Sequence, residues 1–185
     1  TFNNIIDMGD YFHVGAKVTA QELIESDLLN SNYSVLTEAA ESVASTQIRN
    51  TATIGGNICT ASPSGDMTFA LISPRSICEI LNTQGELREE NLSEFIQDVR
   101  KTSLAKNEVL RNVKIPKNIS TQQYSGFIKV GTRKSMEISI VSLAYHLQLN
   151  DDRKIVQAGI AIGSVAPCIP FASDACIFLK GKSIE

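Results

Sequence analysis

The chain has 185 residues, 43% of them hydrophobic and 20% charged, with a formal net charge of −3. This suits one domain or two small ones with an ordinary soluble composition. It excludes the basic footprint of a nucleic-acid or anionic-membrane binder, and no apolar run approaches the ~20 residues of a membrane span.

Asn3 to Met8 reads as a short strand ending near Gly9, and Tyr11 to Ala16 as a second with Phe12 and Val14 on one face. The start lacks a basic segment followed by a long apolar run, so no signal peptide is expected. Thr19 and Glu22 form a T-x-x-E capping box that predicts a helix to about Leu29. Ser34 is the expected cap of the next helix, whose Val35, Leu36, Ala39, Ala40, Val43 and Ala44 make one apolar stripe.

Ser45 to Met67 carries little charge, two adjacent glycines and many small hydroxyl and amide side chains. Ile48 to Thr53 is expected to be extended, Gly55-Gly56 a tight turn, and Ile58 to Ala61 irregular. Ser62-Pro63-Ser64-Gly65-Asp66 is strong turn chemistry, and Met67 to Ile72 is predicted helical with Asp66 at its positive end.

Ser76 to Leu81 and Leu87 read as a hairpin about Gly85. Asn91 and Glu94 are expected to frame a single turn carrying Leu92, Phe95 and Ile96. Glu108 to Ile115 is a predicted strand with Val109, Val113 and Ile115 on one face and Leu110 on the other. Pro116 to Gln123 is the expected linker. Beyond it, Tyr124 to Val130, the end of Ile138 to Leu149, and Lys154 to Ser164 predict a three-stranded antiparallel sheet, with a bulge near Val141-Ser142. Ala172 to Leu179 is the expected last helix, stopped at Gly181, and the second unit reads as cut short at Glu185.

Cys59, Cys78, Cys168 and Cys176 form no C-x-x-C, and there are only two histidines. Metal or cluster ligation is therefore not expected, and reduced thiols serving as small core residues are. His13 and His146 read as structural or surface residues without a nucleophile motif nearby, so no catalytic side chain is assigned. The glycine pair removes two Cβ atoms, which lets backbone N–H groups face an anion, and Thr51, Thr53, Asn57, Thr60, Ser62 and Ser64 add neutral donors. Neither a Walker pattern nor G-x-G-x-x-G is present. The residues alone leave two readings open, a diphosphate-binding loop or a tight structural turn.

R-N-T-A-T-I-G-G-N-I-C-T-A-S-P-S-G-D resembles the second flavin-binding motif of the medium, FAD-carrying subunit of molybdenum hydroxylases, the xanthine, nicotinate and carbon monoxide dehydrogenase family. V-G-A-K-V-T-A-Q-E-L, R-K-T-S-L-A-K-N-E-V-L and F-I-K-V-G-T-R-K-S-M-E-I-S-I-V-S-L-A resemble further segments of that subunit in the same order. The resemblance implies an α+β fold, with residues 1–116 as the second lobe of the FAD domain and 117–185 as its C-terminal domain. It implies that Thr53, Ile54, Gly55, Gly56 and Asn57 hold the FAD pyrophosphate, with Ser62 and Asp66 continuing the contact. Val109 and Leu110 match the apolar pair near flavin and adenine, and Lys129 matches a lysine at the pyrimidine edge of the flavin. The family's earlier glycine-loop lobe has no counterpart here, because the resemblance begins after it. The implied function is electron transfer from 2Fe–2S clusters on a small partner, fed by a large molybdopterin subunit, through FAD to NAD or another acceptor. A cytoplasmic dimer of heterotrimers follows from the same likeness. The alternative is a flavin-free scaffold subunit that keeps the fold.

Overall fold

A computed structural model of the chain describes residues 2–117, 122–132, 138–167 and 171–184. Strands β1 (Ile5–Asp7) and β2 (Tyr11–Gly15) lead into six helices: α1 (Ala20–Ile24), α2 (Asp27–Asn30), α3 (Ser34–Glu41), α4 (Thr46–Arg49), α5 (Ile54–Thr60) and α6 (Asp66–Ile72). Then come β3 (Ile77–Asn82), β4 (Leu87–Asn91), α7 (Leu92–Phe95), β5 (Ile96–Asp98), β6 (Lys101–Thr102) and β7 (Glu108–Pro116). The chain closes with β8 (Gln122–Val130), β9 (Val141–Leu149), β10 (Ile155–Gly163) and α8 (Ser173–Leu179). The first unit holds a five-stranded sheet in the order β1-β2-β7-β3-β4, and the second a three-stranded sheet with β9 in the middle. All these pairings are antiparallel. The expected α+β class is what the structure has.

Local chemistry sets most boundaries. Thr19 Oγ1 accepts from the Glu22 N–H at 3.2 Å, and Glu22 Oε2 accepts from the Thr19 N–H at 2.7 Å, so the capping box is real. The helix it opens stops at Ile24 rather than near Leu29, because Ser26 offers a fresh cap and α2 restarts beyond it. Ser34 does not cap α3. Tyr33 occupies that position and makes no side-chain capping bond, its hydroxyl donating instead to the Pro116 carbonyl, and the Ser34 hydroxyl is used elsewhere. The apolar stripe of α3 is buried as expected at Val35, Leu36, Ala39 and Ala40.

The segment before Ser62 departs most from expectation. In place of an extended run, a tight turn and an irregular stretch, it folds as α4 and α5, with both glycines in the first turn of α5. The reason lies in Thr53. Its extended backbone and its Oγ1, which accepts from the Gly56 N–H at 3.0 Å, cap the helix. Ile54 and Ile58, one helical step of four apart, are both fully buried and anchor it. Ala61 ends it in the left-handed conformation, at φ 46°.

Two strand faces also differ. A register shift between β3 and β7 opposite Glu79 and Ile80 inserts one extra residue in β7. Leu110 therefore joins Val113 and Ile115 in the core, while Val109 is turned out. The pairing of β8 with β9 runs unbroken from Gln122–Leu149 to Val130–Val141, so no bulge falls near Val141-Ser142. The irregularity lies in β10, between Ile155 and Gln157. The buried face of β9 carries Ser142, Ala144, His146 and Gln148, and its apolar face with Leu143, Tyr145 and Leu147 is only half-buried.

One core joins both units: Phe12, Val14, Ile54, Ile58, Phe69 and Val113 share it with Ala144 and Ala161 of the second sheet. Phe69 of α6 stacks on Phe127 of β8 at 5.4 Å. α8 covers the other face of β10 through Cys176, Ile155 and Ala158. Cys78 is buried too, whereas Cys59 is exposed rather than part of the core. Cys168 and linker residues 118–121 lie outside the described residues.

Candidate functional site

Helix α5 lies against the end of β2. The Ile54 N–H donates to the Val18 carbonyl at 2.9 Å, and the Gly55 N–H to the Ala16 carbonyl at 2.7 Å. Gly55 is there for packing: a Cβ would stand 2.8 Å from the Ala16 carbonyl oxygen and 2.9 Å from its Cβ. A Cβ on Gly56 would meet nothing closer than Thr53 Oγ1 at 3.0 Å, and its outer side is open. The two glycines therefore have different jobs. Their N–H groups do not point together at one anion, since those of Ile54 and Gly55 are spent on the strand.

Over Gly56 runs a polar groove of about 360 Å³, lined by Thr51, Ala52, Thr53, Gly56, Asn57, Thr60 and Ser62. No charged side chain is among these residues. Asn57 Oδ1 accepts from the Thr68 N–H at 3.0 Å and from the Thr68 hydroxyl at 2.8 Å. That arrangement fixes the Asn57 side chain and leaves its NH₂ as a donor. Thr53 and Gly56 also border a second groove of about 420 Å³, with walls that include Phe2, Cys59, Leu104, Val109 and Leu110. Lys17 and Glu108 supply its charges. Neutral donors in one groove and apolar groups in the next, meeting at an open glycine, suit a long ligand with a polar middle and a flat apolar end.

Glu108 is firmly held. Its carboxylate takes two bonds from Arg88, at 2.7 and 2.8 Å, and one from the Ala105 N–H at 2.9 Å. The Arg88 guanidinium holds its carboxyl down to about 2. This clasp ties Ser103–Glu108 to β4 and so fixes Leu104 and Val109 at the groove wall. Although the Cys59 residue as a whole is exposed, partial desolvation of its sulfur at the groove wall pushes the thiol up, away from a reactive thiolate.

Asp66 and Lys129 border neither groove. They meet in a buried ion pair between α6 and β8, with Lys129 Nζ 2.7 Å from Asp66 Oδ2. The Ser42 hydroxyl lies 3.1 Å from the same oxygen. Asp66 Oδ1 is buried and has no partner among the described residues. Burial raises the Asp66 carboxyl above its ordinary range, against the pull of Lys129 and Ser42.

Of the ten residues singled out from sequence, Thr53, Gly56, Asn57, Ser62, Val109 and Leu110 gather on the two grooves, and Gly55 touches the second. Ile54 is a core residue, and Asp66 and Lys129 form their own pair. Sequence reasoning did not single out Phe2, Lys17, Cys59 and Leu104, which line the second groove: Lys17, Cys59 and Leu104 lie in three different segments of the resemblance, and only the fold brings them together with Phe2. His13 stands 3.5 Å from Glu79 on the sheet, and His146 packs on Tyr33 at 5.0 Å, both away from the grooves.

The family model "FAD binding domain in molybdopterin dehydrogenase" matches residues 2–118, and "CO dehydrogenase flavoprotein C-terminal domain" matches residues 127–185. The chain is 31% identical over 153 residues to a xanthine dehydrogenase of Blastobotrys adeninivorans, a match that covers 83% of this chain and 11% of that one. It is 31% identical over 154 residues to the xanthine dehydrogenase FAD-binding subunit of Escherichia coli O157:H7, covering 83% of this chain and 52% of that one. A chain of the Cu,Mo-CO dehydrogenase superposes with a TM-score of 0.92 at 26% identity, covering all of this chain and 63% of its own length. The chain thus spans about a tenth of the first of these relatives and about half of the second.

Proposed function

The chain belongs to the FAD-binding subunit family of the molybdenum hydroxylases, and on that premise we propose that it holds FAD and serves electron transfer within a larger oxidoreductase. The observation that carries this reading is the junction at Thr53 and Gly56, where an uncharged groove edged by hydroxyl and amide side chains meets one walled by Phe2, Leu104, Val109 and Leu110. A diphosphate that is held and not hydrolysed needs such donors and no catalytic base or metal. Among the described residues there is no cluster of His, Cys, Asp and Glu able to hold a metal.

The Thr53 and Ser62 hydroxyls and the Asn57 NH₂ are the proposed donors to the pyrophosphate, and Gly56 is the point of closest approach. Val109 and Leu110, with Phe2 and Leu104, form the wall for a flat ring. Ile54 and Gly55 hold the helix in place. Asp66 and Lys129, paired with each other outside both grooves, are proposed as further contacts on the motif resemblance alone, the Lys129 ammonium favouring negative charge at the flavin's pyrimidine edge. The chemistry supplied by FAD when bound is the relay of electrons from iron–sulfur clusters on a partner to NAD or another acceptor.

The proposed domains are residues 1–116, the FAD-binding lobe, and 117–185, the C-terminal domain. That one family model ends at residue 118 and the other begins at residue 127 supports a division in this region. The proposed partners are a large molybdopterin subunit and a small 2Fe–2S subunit, in a dimer of heterotrimers. No described helix is long and apolar enough to cross a membrane. A cytoplasmic location is proposed from the thiol pattern.

The test is an absorption spectrum of the chain purified with its partners, followed by acid release of the cofactor. Flavin bands and stoichiometric FAD are expected. A full-length chain that carries no flavin and takes none up from excess FAD would leave only the scaffold reading.

A further inference from the structure

Helix α3 has two working faces. Its apolar face packs into the core of the first unit, and its polar face meets β8. Ser34, Glu38 and Ser42 are spaced by four residues, so they form one stripe down the helix. Opposite them stand Ser125, Phe127 and Lys129, alternate residues on the same face of β8. The Ser34 hydroxyl donates to the Ser125 carbonyl at 2.7 Å and lies 3.0 Å from the Ser125 hydroxyl. The Phe127 N–H donates to Glu38 Oε2 at 2.7 Å. The Ser42 hydroxyl reaches Asp66 Oδ2, the same oxygen that holds Lys129 Nζ.

The match is geometric. Four residues of helix rise about 6 Å, and two residues of strand about 6.7 Å, so the two steps of one keep pace with the two steps of the other. β8 is an edge strand, and its outward N–H and C=O groups would otherwise face solvent. α3 satisfies them at the positions leading to Lys129. A slip of one residue in β8 would turn Lys129 to the other face of the sheet.

We infer that Ser34, Glu38 and Ser42 are positioning residues for Lys129: the polar stripe of α3 sets the register of β8 and holds the ammonium at Asp66. This rests on the proposed reading of Lys129 as the cation near the flavin. Glu38 is the central member, since its carboxylate makes a charge-assisted bond to a backbone N–H.

The test uses the flavin-loaded complex and three readouts: FAD affinity, the flavin's midpoint potential, and amide exchange at Phe127 without flavin. Glu38→Ala is expected to raise the Kd for FAD about tenfold and to speed exchange at Phe127. It should shift the potential in the same direction as Lys129→Met and shift it no further when combined with it. Glu38→Gln keeps a carbonyl acceptor and should restore all three readouts. Faster unfolding of Glu38→Ala with wild-type FAD affinity and potential would make the stripe merely structural and overturn the proposal. If Lys129→Met itself leaves affinity and potential unchanged, the reading of Lys129 fails instead, and the Phe127 exchange tells the two failures apart. Should Glu38→Ala not fold, Ser34→Ala is read the same way, with Ser34→Thr as its rescue.

Discussion

The floor of the groove and the seam between the two units are built on opposite principles. The floor is apolar: Ile54, Ile58, Val14 and Val18 are fully buried beneath α5. The seam mixes the Phe69–Phe127 stack with hydroxyls, a carboxylate and an ion pair: Ser34, Glu38, Ser42, Asp66 and Lys129. A chain of hydroxyls from Ser64 through Ser164 to Ser139 extends it beside the Ser62–Asp66 turn. Apolar packing tolerates small rotations, so it can place a groove without aiming every group. Hydrogen bonds and ion pairs are directional and aim one side chain at another. The two regions divide the labour: the floor places the groove, and the seam fixes the Asp66–Lys129 pair.

The largest effects should separate these principles. Ile58→Ala removes core contacts and should lower stability by about 2–5 kcal/mol, read from urea unfolding. Asp66→Ala leaves Lys129 in a poorly solvated place and should cost a comparable 3–5 kcal/mol, roughly. Pairing distinguishes them. Asp66→Ala combined with Lys129→Met should recover much of the Asp66→Ala loss, whereas Ile58→Ala combined with Val14→Ala should lose further stability. A seam double variant as weak as the sum of its singles would break the comparison.

Acid titration sharpens it next. Burial pushes the His146 imidazole down to about 4, from the usual 6.5. The folded state keeps this ring neutral, so the stability it contributes is complete above 6.5 and is lost as pH falls from there towards about 4. Glu108 at the groove wall is held at about 2 against the usual 4.5, so its contribution is lost only below 4.5. The seam should therefore weaken before the groove wall does. Urea midpoints across pH should fall in both windows; His146→Gln should reduce the upper loss, which His13 shares, and Glu108→Gln the lower one, which Asp7 and Glu79 share. A single loss confined below pH 4.5 would count against the assignment of His146.

The two glycines give the smallest and most pointed contrast. Alanine at either position gains helix propensity, about 1 kcal/mol. At Gly55 the new Cβ runs into the Ala16 backbone, and a net loss of about 1–3 kcal/mol is expected. At Gly56 only the Thr53 hydroxyl must yield, and stability should stay within about 1 kcal/mol of wild type. Equal losses at both sites would deny them separate roles.

These regions were unequally legible in the sequence. The apolar stripe of α3, the capping box at Thr19 and the alternation of Phe12 and Val14 could be read directly, because burial leaves a periodic trace. Helix α5 could not, since its glycines masked a helix whose signals, Thr53 as cap and Ile54 with Ile58, were present. Val109 changed sides because a bulge in β7 depends on the pairing with β3, which no local pattern records. The polar stripe of α3 was not legible, as Ser34, Glu38 and Ser42 declare themselves only when β8 lies opposite. The motif residues that gathered on the grooves were found by family resemblance, and physics alone left their role open between a ligand loop and a structural turn.

The central claim is that FAD lies over Gly56, and a titration of FAD into the flavin-depleted full-length complex tests it most directly, comparing wild type with Gly56→Ala by quenching of flavin fluorescence. The account predicts tight binding to wild type and a loss of about tenfold or more in the variant, with the urea midpoint unchanged. Equal affinity in the two proteins would contradict it.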